Sequence, residues 1–214
     1  VSPIHTALFP RLSQLVVKKD ETGISDLYHR GCQLASIIIL PISITMIFFS
    51  KEILSTWIGD PTVVNNTHIL LSLLIVGTTI KAYMTLPYTL QLAHGWTKLA
   101  FYKNVIAVII IIPSMLWAAQ MYQGIGAAWV LIILYLGLLI FEIIIMHKRI
   151  LKGNMRKRYG YDVFIPVLIV STIGLAAHEI HDIFPIDVSE AITALAVLCT
   201  LLFSFMASAW STGN

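Results

Sequence analysis

The chain has 214 residues, 57% of them hydrophobic and only 12% charged, with a formal net charge of +3 at pH 7. Soluble domains carry about twice that share of charge, roughly 25%, and the mean hydropathy of +0.84 excludes an ordinary water-soluble globular protein. The two cysteines, Cys32 and Cys199, stand far apart beside or within apolar runs and argue against a disulfide framework.

Six long apolar stretches follow one another at 31–49, 67–92, 99–118, 126–146, 163–180 and 191–209. Each approaches the about 20 residues that a helix needs to cross a bilayer, where its backbone must satisfy its own hydrogen bonds. They are rich in Leu and Ile without strict alternation, which argues against a barrel. The predicted fold is all-α, a polytopic transmembrane bundle of six full spans. A shorter apolar stretch, Ile4 to Val17, precedes them and runs into a charged loop. It reads as the end of a preceding helix, with the chain expected to be the C-terminal part of a longer protein.

Between the runs the charge alternates. Arg11, Lys18, Lys19 and Arg30 flank the first connection, Lys98 and Lys103 the third, and Lys148, Arg149, Lys152, Arg156, Lys157 and Arg158 the fifth. The second connection has Lys51 alone, the fourth has no Lys or Arg, and the sixth carries Glu179, Asp182, Asp187 and Glu190. Positive loops resist translocation, so the odd-numbered loops are expected in the cytoplasm and the protein in the cytoplasmic (inner) membrane. Orientation accounts for the basic loops before any anion-binding role does.

Local signals place the elements. Ser25 is a candidate N-cap for the first full span, with Asp26 in its first turn. Ser50 to Pro61 has apolar Ile53, Leu54, Trp57 and Ile58 at helical spacing and stops at Gly59 and Pro61, which predicts a short interfacial helix on the outer face. The His94–Lys98 and Gln120–Gly126 stretches are tight turns between antiparallel neighbours. Pro41, Pro87, Pro113 and Pro166 lie inside apolar runs, where prolines bend membrane helices without breaking them.

Lys81 is the outstanding residue. It lies about 18 Å of helix from the cytoplasmic end of its span, too deep to snorkel with ease. A charge at the bilayer centre costs roughly 3 kcal/mol or more, so it should face a bundle interior or a watery cavity. Thr78, Lys81, Thr85, Tyr88 and Gln91 recur at three- and four-residue intervals and share one helical stripe. A polar stripe with a central cation suits an anionic substrate such as a diphosphate; the alternative is a structural lysine paired with an acid elsewhere. Arg11, after Pro10, either lines a cytoplasmic vestibule or anchors its helix by the orientation rule. Lys103 is expected to snorkel. Glu142, near the end of its span, is expected to reach water or a basic neighbour, with a proton-coupling role as the alternative. His178, Glu179, His181 and Asp182 lack the HExxH spacing of zinc proteases and read as a solvated helix end. No metal, cofactor, catalytic arrangement or nucleic-acid module is expected. Tyr83, Tyr88, Tyr102, Trp96 and Trp129 read as interfacial or packing aromatics.

Several stretches carry a resemblance: ALFPRLSQL at 7–15, LPYTLQLAHGWTKLAFYKN at 86–104, YQGIGAAWVLIILYLGLLI at 122–140 and MHKRIL at 146–151, followed by Asp162 and Pro166. Over about residues 5–170 the chain resembles the oligosaccharide (O-antigen, Wzx-type) flippases of the multidrug/oligosaccharidyl-lipid/polysaccharide exporter superfamily. The resemblance implies a non-enzymatic transporter of about fourteen helices in two lobes around a cavity. Residues 1–150 would then supply second-lobe helices, the partial one being the eighth. Residues 151–214 would add the basic cytoplasmic loop and two more helices. The implied partners are an undecaprenyl-diphosphate-linked oligosaccharide, membrane lipid and the missing N-terminal half of the same protein. A cation-coupled drug exporter of the same superfamily would more naturally place acids in the cavity. A membrane-integral glycan polymerase or ligase would want a substantial outer loop with catalytic Arg or His.

Overall fold

The computed structural model describes residues 2–149 and Thr172. The spans expected over 163–180 and 191–209, the basic loop beyond residue 150, Cys199 and the His178–Asp182 cluster lie, Thr172 apart, outside the described residues. Within them every element is a helix: α1 (Ser2–Lys18), α2 (Glu21–Phe48), α3 (Ser50–Ile58), α4 (Pro61–Ala93) and α5 (Thr97–Arg149). Three, α2, α4 and α5, are long and apolar enough to cross a membrane. The described residues thus bear out an all-α membrane protein, with three helices long enough to span.

The first corner differs from the expectation. The N-cap of α2 is Asp20, not Ser25, so α2 begins before the apolar run and takes in most of the charged connection. Lys19 turns the chain with φ 56, and the Asp20 carboxylate then accepts from the Gly23 amide at 2.9 Å and the Thr22 hydroxyl at 2.8 Å. A carboxylate satisfies the free amides of a first turn and opposes the helix dipole, so Asp20 takes the position ahead of Ser25. These bonds hold its pKa below the ordinary aspartate value. At the other end of α2 the short helix expected over 50–61 is α3, which stops at Gly59 in the left-handed region. Asp60 then caps α4 by accepting from the Thr62 amide at 2.8 Å, with Pro61 in the first turn.

Helix α4 stands at the centre and packs against α1, α2, α3 and α5. Leu12 of α1, Ile24, Tyr28, Cys32 and Ala35 of α2, and Leu86 and Leu90 of α4 form one buried cluster. Three polar contacts fasten α2 and the start of α3 to α4. Tyr83 Oη donates to Ser36 Oγ at 3.0 Å, Thr79 and Ser43 share a hydroxyl bond of 2.7 Å, and Ser72 and Ser50 share one of 2.9 Å.

A straight helix as long as α5 would span about 80 Å, far more than the roughly 30 Å of a bilayer core. It is instead folded in two at Gln123, whose φ 54 and ψ −142 break the helical path. The two limbs correspond to the third and fourth expected spans. Gly126 allows the reversal: a Cβ there would sit 2.5 Å from the Ala118 carbonyl oxygen. Outward, α5 presents Phe101, Ile109, Leu116, Trp117 and Ile133, all exposed, as a lipid-facing helix does.

Three outcomes follow. Gly126→Ala should destabilise the solubilised protein by about 1–3 kcal/mol, because backbone must move to admit the methyl group. Gly137→Ala, where nothing lies within 4 Å, should leave the thermal midpoint unchanged. For Asp20, whose folded pKa is depressed, the capping contribution is fully present above the unfolded value of about 3.9. The stability difference between wild type and Asp20→Ala should therefore shrink as pH falls through the depressed value, which parallel melts across pH would read.

Candidate functional site

Helix α4 carries the residues that the sequence singles out. Thr78 and Lys81 are exposed, and Thr85 and Tyr88 are half-buried. The Thr78 hydroxyl is turned onto its own helix, donating to the Ile75 carbonyl at 3.0 Å, and the Thr85 carbonyl accepts from Thr89 at 2.6 Å. Lys81 is presented rather than sequestered. Its ammonium lies 5.7 Å from the centroid of the Tyr135 ring, on the second limb of α5. That contact orients a long side chain while leaving its charge accessible. Pro87 is fully buried just before Tyr88, and its missing N–H leaves the Tyr83 carbonyl without its usual intrahelical donor. Arg11 is exposed on α1, outside this stripe.

Gln91 departs from the rest of the stripe. It is 1% exposed and turned into the α4–α5 contact, where its side chain lies against the Glu142 carboxylate. Lys103, expected to snorkel, is buried there too. Its ammonium makes an ion pair with Glu142 Oε1. Glu142 thus meets the basic neighbour foreseen for it, and that neighbour is Lys103. The snorkelling expectation fails because the α5 reversal sets the two limbs antiparallel. Lys103 and Glu142, 39 residues apart and nearly equidistant from Gln123, then fall opposite each other. Pairing within the bundle satisfies both charges at once, which an extended lysine at the lipid boundary would not do.

The Lys103 ammonium also lies 5.3 Å from the centroid of the Tyr88 ring. On the other helix flanking Tyr88, His5 of α1 has its ring centroid 6.5 Å from that of Tyr88 and stacks on Phe9 at 5.7 Å. His5 and Tyr135 have no distinguishing signal in the sequence, since both depend on how neighbouring helices are rotated toward α4. Their aromatic character beside a polar stripe is the only trace they leave. A cavity of about 410 Å³ lies at the α4–α5 turn, lined by Gly95, Trp96, Thr97, Lys98, Leu99 and Ile145, away from Lys81. Among the described residues no three His, Cys, Asp or Glu side chains gather as a metal would require.

The pair generates its own test. Glu142→Ala strands a buried ammonium and should cost about 3–5 kcal/mol, whereas Lys103→Met combined with Glu142→Gln removes both charges and should recover most of that loss. Thermal midpoints of the single and double variants in one detergent would measure the difference.

Comparison with known proteins adds the family. Residues 2–117 match the MatE family model, which covers more than half of the chain and runs from α1 through most of the first limb of α5. No curated protein and no solved structure matches. The family's members are transporters rather than enzymes, in keeping with three helices long and apolar enough for a bilayer. The chain belongs to the MatE family, and is a membrane-embedded transporter of the multidrug/oligosaccharidyl-lipid/polysaccharide exporter superfamily.

Proposed function

We propose that the chain supplies the second lobe of a flippase that moves an undecaprenyl-diphosphate-linked oligosaccharide from the cytoplasmic to the outer leaflet of the inner membrane by alternating access. The observation that carries this reading is Lys81, an accessible cation partway along an apolar helix, steadied over Tyr135. Thr78, Thr85 and Tyr88 supply hydroxyls on the same side of α4, and Arg11 a further cation toward the cytoplasmic end. A diphosphate needs an accessible cation within the membrane, a glycan a wet path, and a lipid tail an opening between helices. The first lobe of the full-length protein would close the other wall of such a cavity.

A drug exporter is the competing reading within the same superfamily. It would use an acid to hold a cationic drug or a coupling ion. Among the described residues the buried acid is Glu142, already neutralised by Lys103, and the accessible charge on the stripe is positive. That distribution favours an anionic cargo.

The test uses the full-length gene. Its deletion should leave lipid-linked glycan in the cytoplasmic leaflet, and wild type should restore export. Lys81→Ala, expressed and inserted normally, should flip at least about tenfold more slowly, as expected when a charge-assisted bond of about 1.5–3 kcal/mol is lost. Full rescue by Lys81→Ala would remove Lys81 from the mechanism, and normal glycan distribution in the deletion strain would sink the flippase reading.

A further inference from the structure

The Lys103–Glu142 pair is unexplained by stability alone. Replacing a buried ion pair with well-packed apolar residues is often neutral or stabilising, and most of the residues around the pair on α5 are apolar. An ion pair does something that an apolar pair cannot: it holds a point charge at a fixed place. Here that place is over the ring of Tyr88, 5.3 Å from its centroid. A free lysine is a poor platform, because its four-carbon stem samples many rotamers. Glu142 pins this one, and the buried Gln91 side chain lies near the same carboxylate. Tyr88 is half-buried at the edge of the polar stripe and is approached from α1 by His5, tilted by 31°.

We propose that Lys103, held by Glu142, is a positioning residue that sets the orientation of the Tyr88 ring on the α4 stripe. What the ring is oriented for rests on the flippase reading above; the contact itself does not. The chemistry is a desolvated cation–π interaction, the setting in which it is strongest. It joins the α5 hairpin to a residue of the candidate cargo path without Lys103 touching cargo. His5 stacked on Phe9 bounds Tyr88 from α1, so three helices define one ring.

The experiment places a fluorinated tyrosine at position 88 of the full-length protein and records its fluorine resonance in detergent. Wild type and Lys103→Arg, which keeps a cation paired with Glu142, should give one resonance at nearly the same position. Lys103→Met with Glu142→Gln should shift that resonance by more than its linewidth and broaden it, while the thermal midpoint holds. A resonance unmoved in the charge-free variant would overturn the proposal. Lys103→Leu with Glu142→Met is a second charge-free combination should the first not insert. Flipping is read separately on the same variants. A fall of about tenfold in the charge-free variant, restored by Lys103→Arg, ties the ring's orientation to transport. A shifted resonance with unchanged flipping upholds the positioning role and counts against the flippase reading of the stripe.

Discussion

Lipid tails are as apolar as leucine, so apolar contact gives a membrane helix little reason to prefer one protein neighbour over another. Here α4 packs against every other described helix. The polar side chains that it turns toward them therefore help decide what docks where. Ser72, Thr79 and Tyr83 find hydroxyl partners along α2 and the start of α3. Gln91 and Tyr88 meet the buried charges of α5. Lys81 is directed to a side that the described helices leave accessible. Close packing at the α1–α2–α4 cluster consolidates an arrangement whose register the polar groups have chosen.

The same logic separates the two lysines deepest in the apolar helices. Lys103 has an acid opposite it and disappears into the bundle. Among the described residues Lys81 has the Tyr135 ring beside it, which steadies the ammonium without cancelling its charge. Among the described residues, the pair takes up the buried acid Glu142 and leaves Lys81 exposed.

Much of the organisation was legible in the sequence, because length, apolarity and turn chemistry act locally. The helices α2 and α4, the short α3 with its stop at Gly59, and the reversal near Gln123 all follow from such signals. What was not legible depends on rotation about helix axes. Ser25 and Asp20 are both acceptable caps in one dimension, and the choice is made by the turn at Lys19. Gln91 shares the spacing of the stripe but is buried at the α4–α5 contact, and Lys103 looks like a boundary lysine until the hairpin closes. Tyr135 and His5 could not be singled out, since nothing in their own neighbourhoods marks them.

The hydroxyl contacts that join α2 and the start of α3 to α4 bear on how such a protein can move. Ser36, Ser43 and Ser50 are spaced seven residues apart, so they fall along one nearly straight seam and meet Tyr83, Thr79 and Ser72 in antiparallel order. Sliding α2 together with the start of α3 by one turn, about 5.4 Å, would break all three bonds at once. Piston-like displacement between these helices is thereby disfavoured, while rocking of the pair as a unit breaks none of the bonds. The seam acts as a spline: it transmits rotation and resists slip.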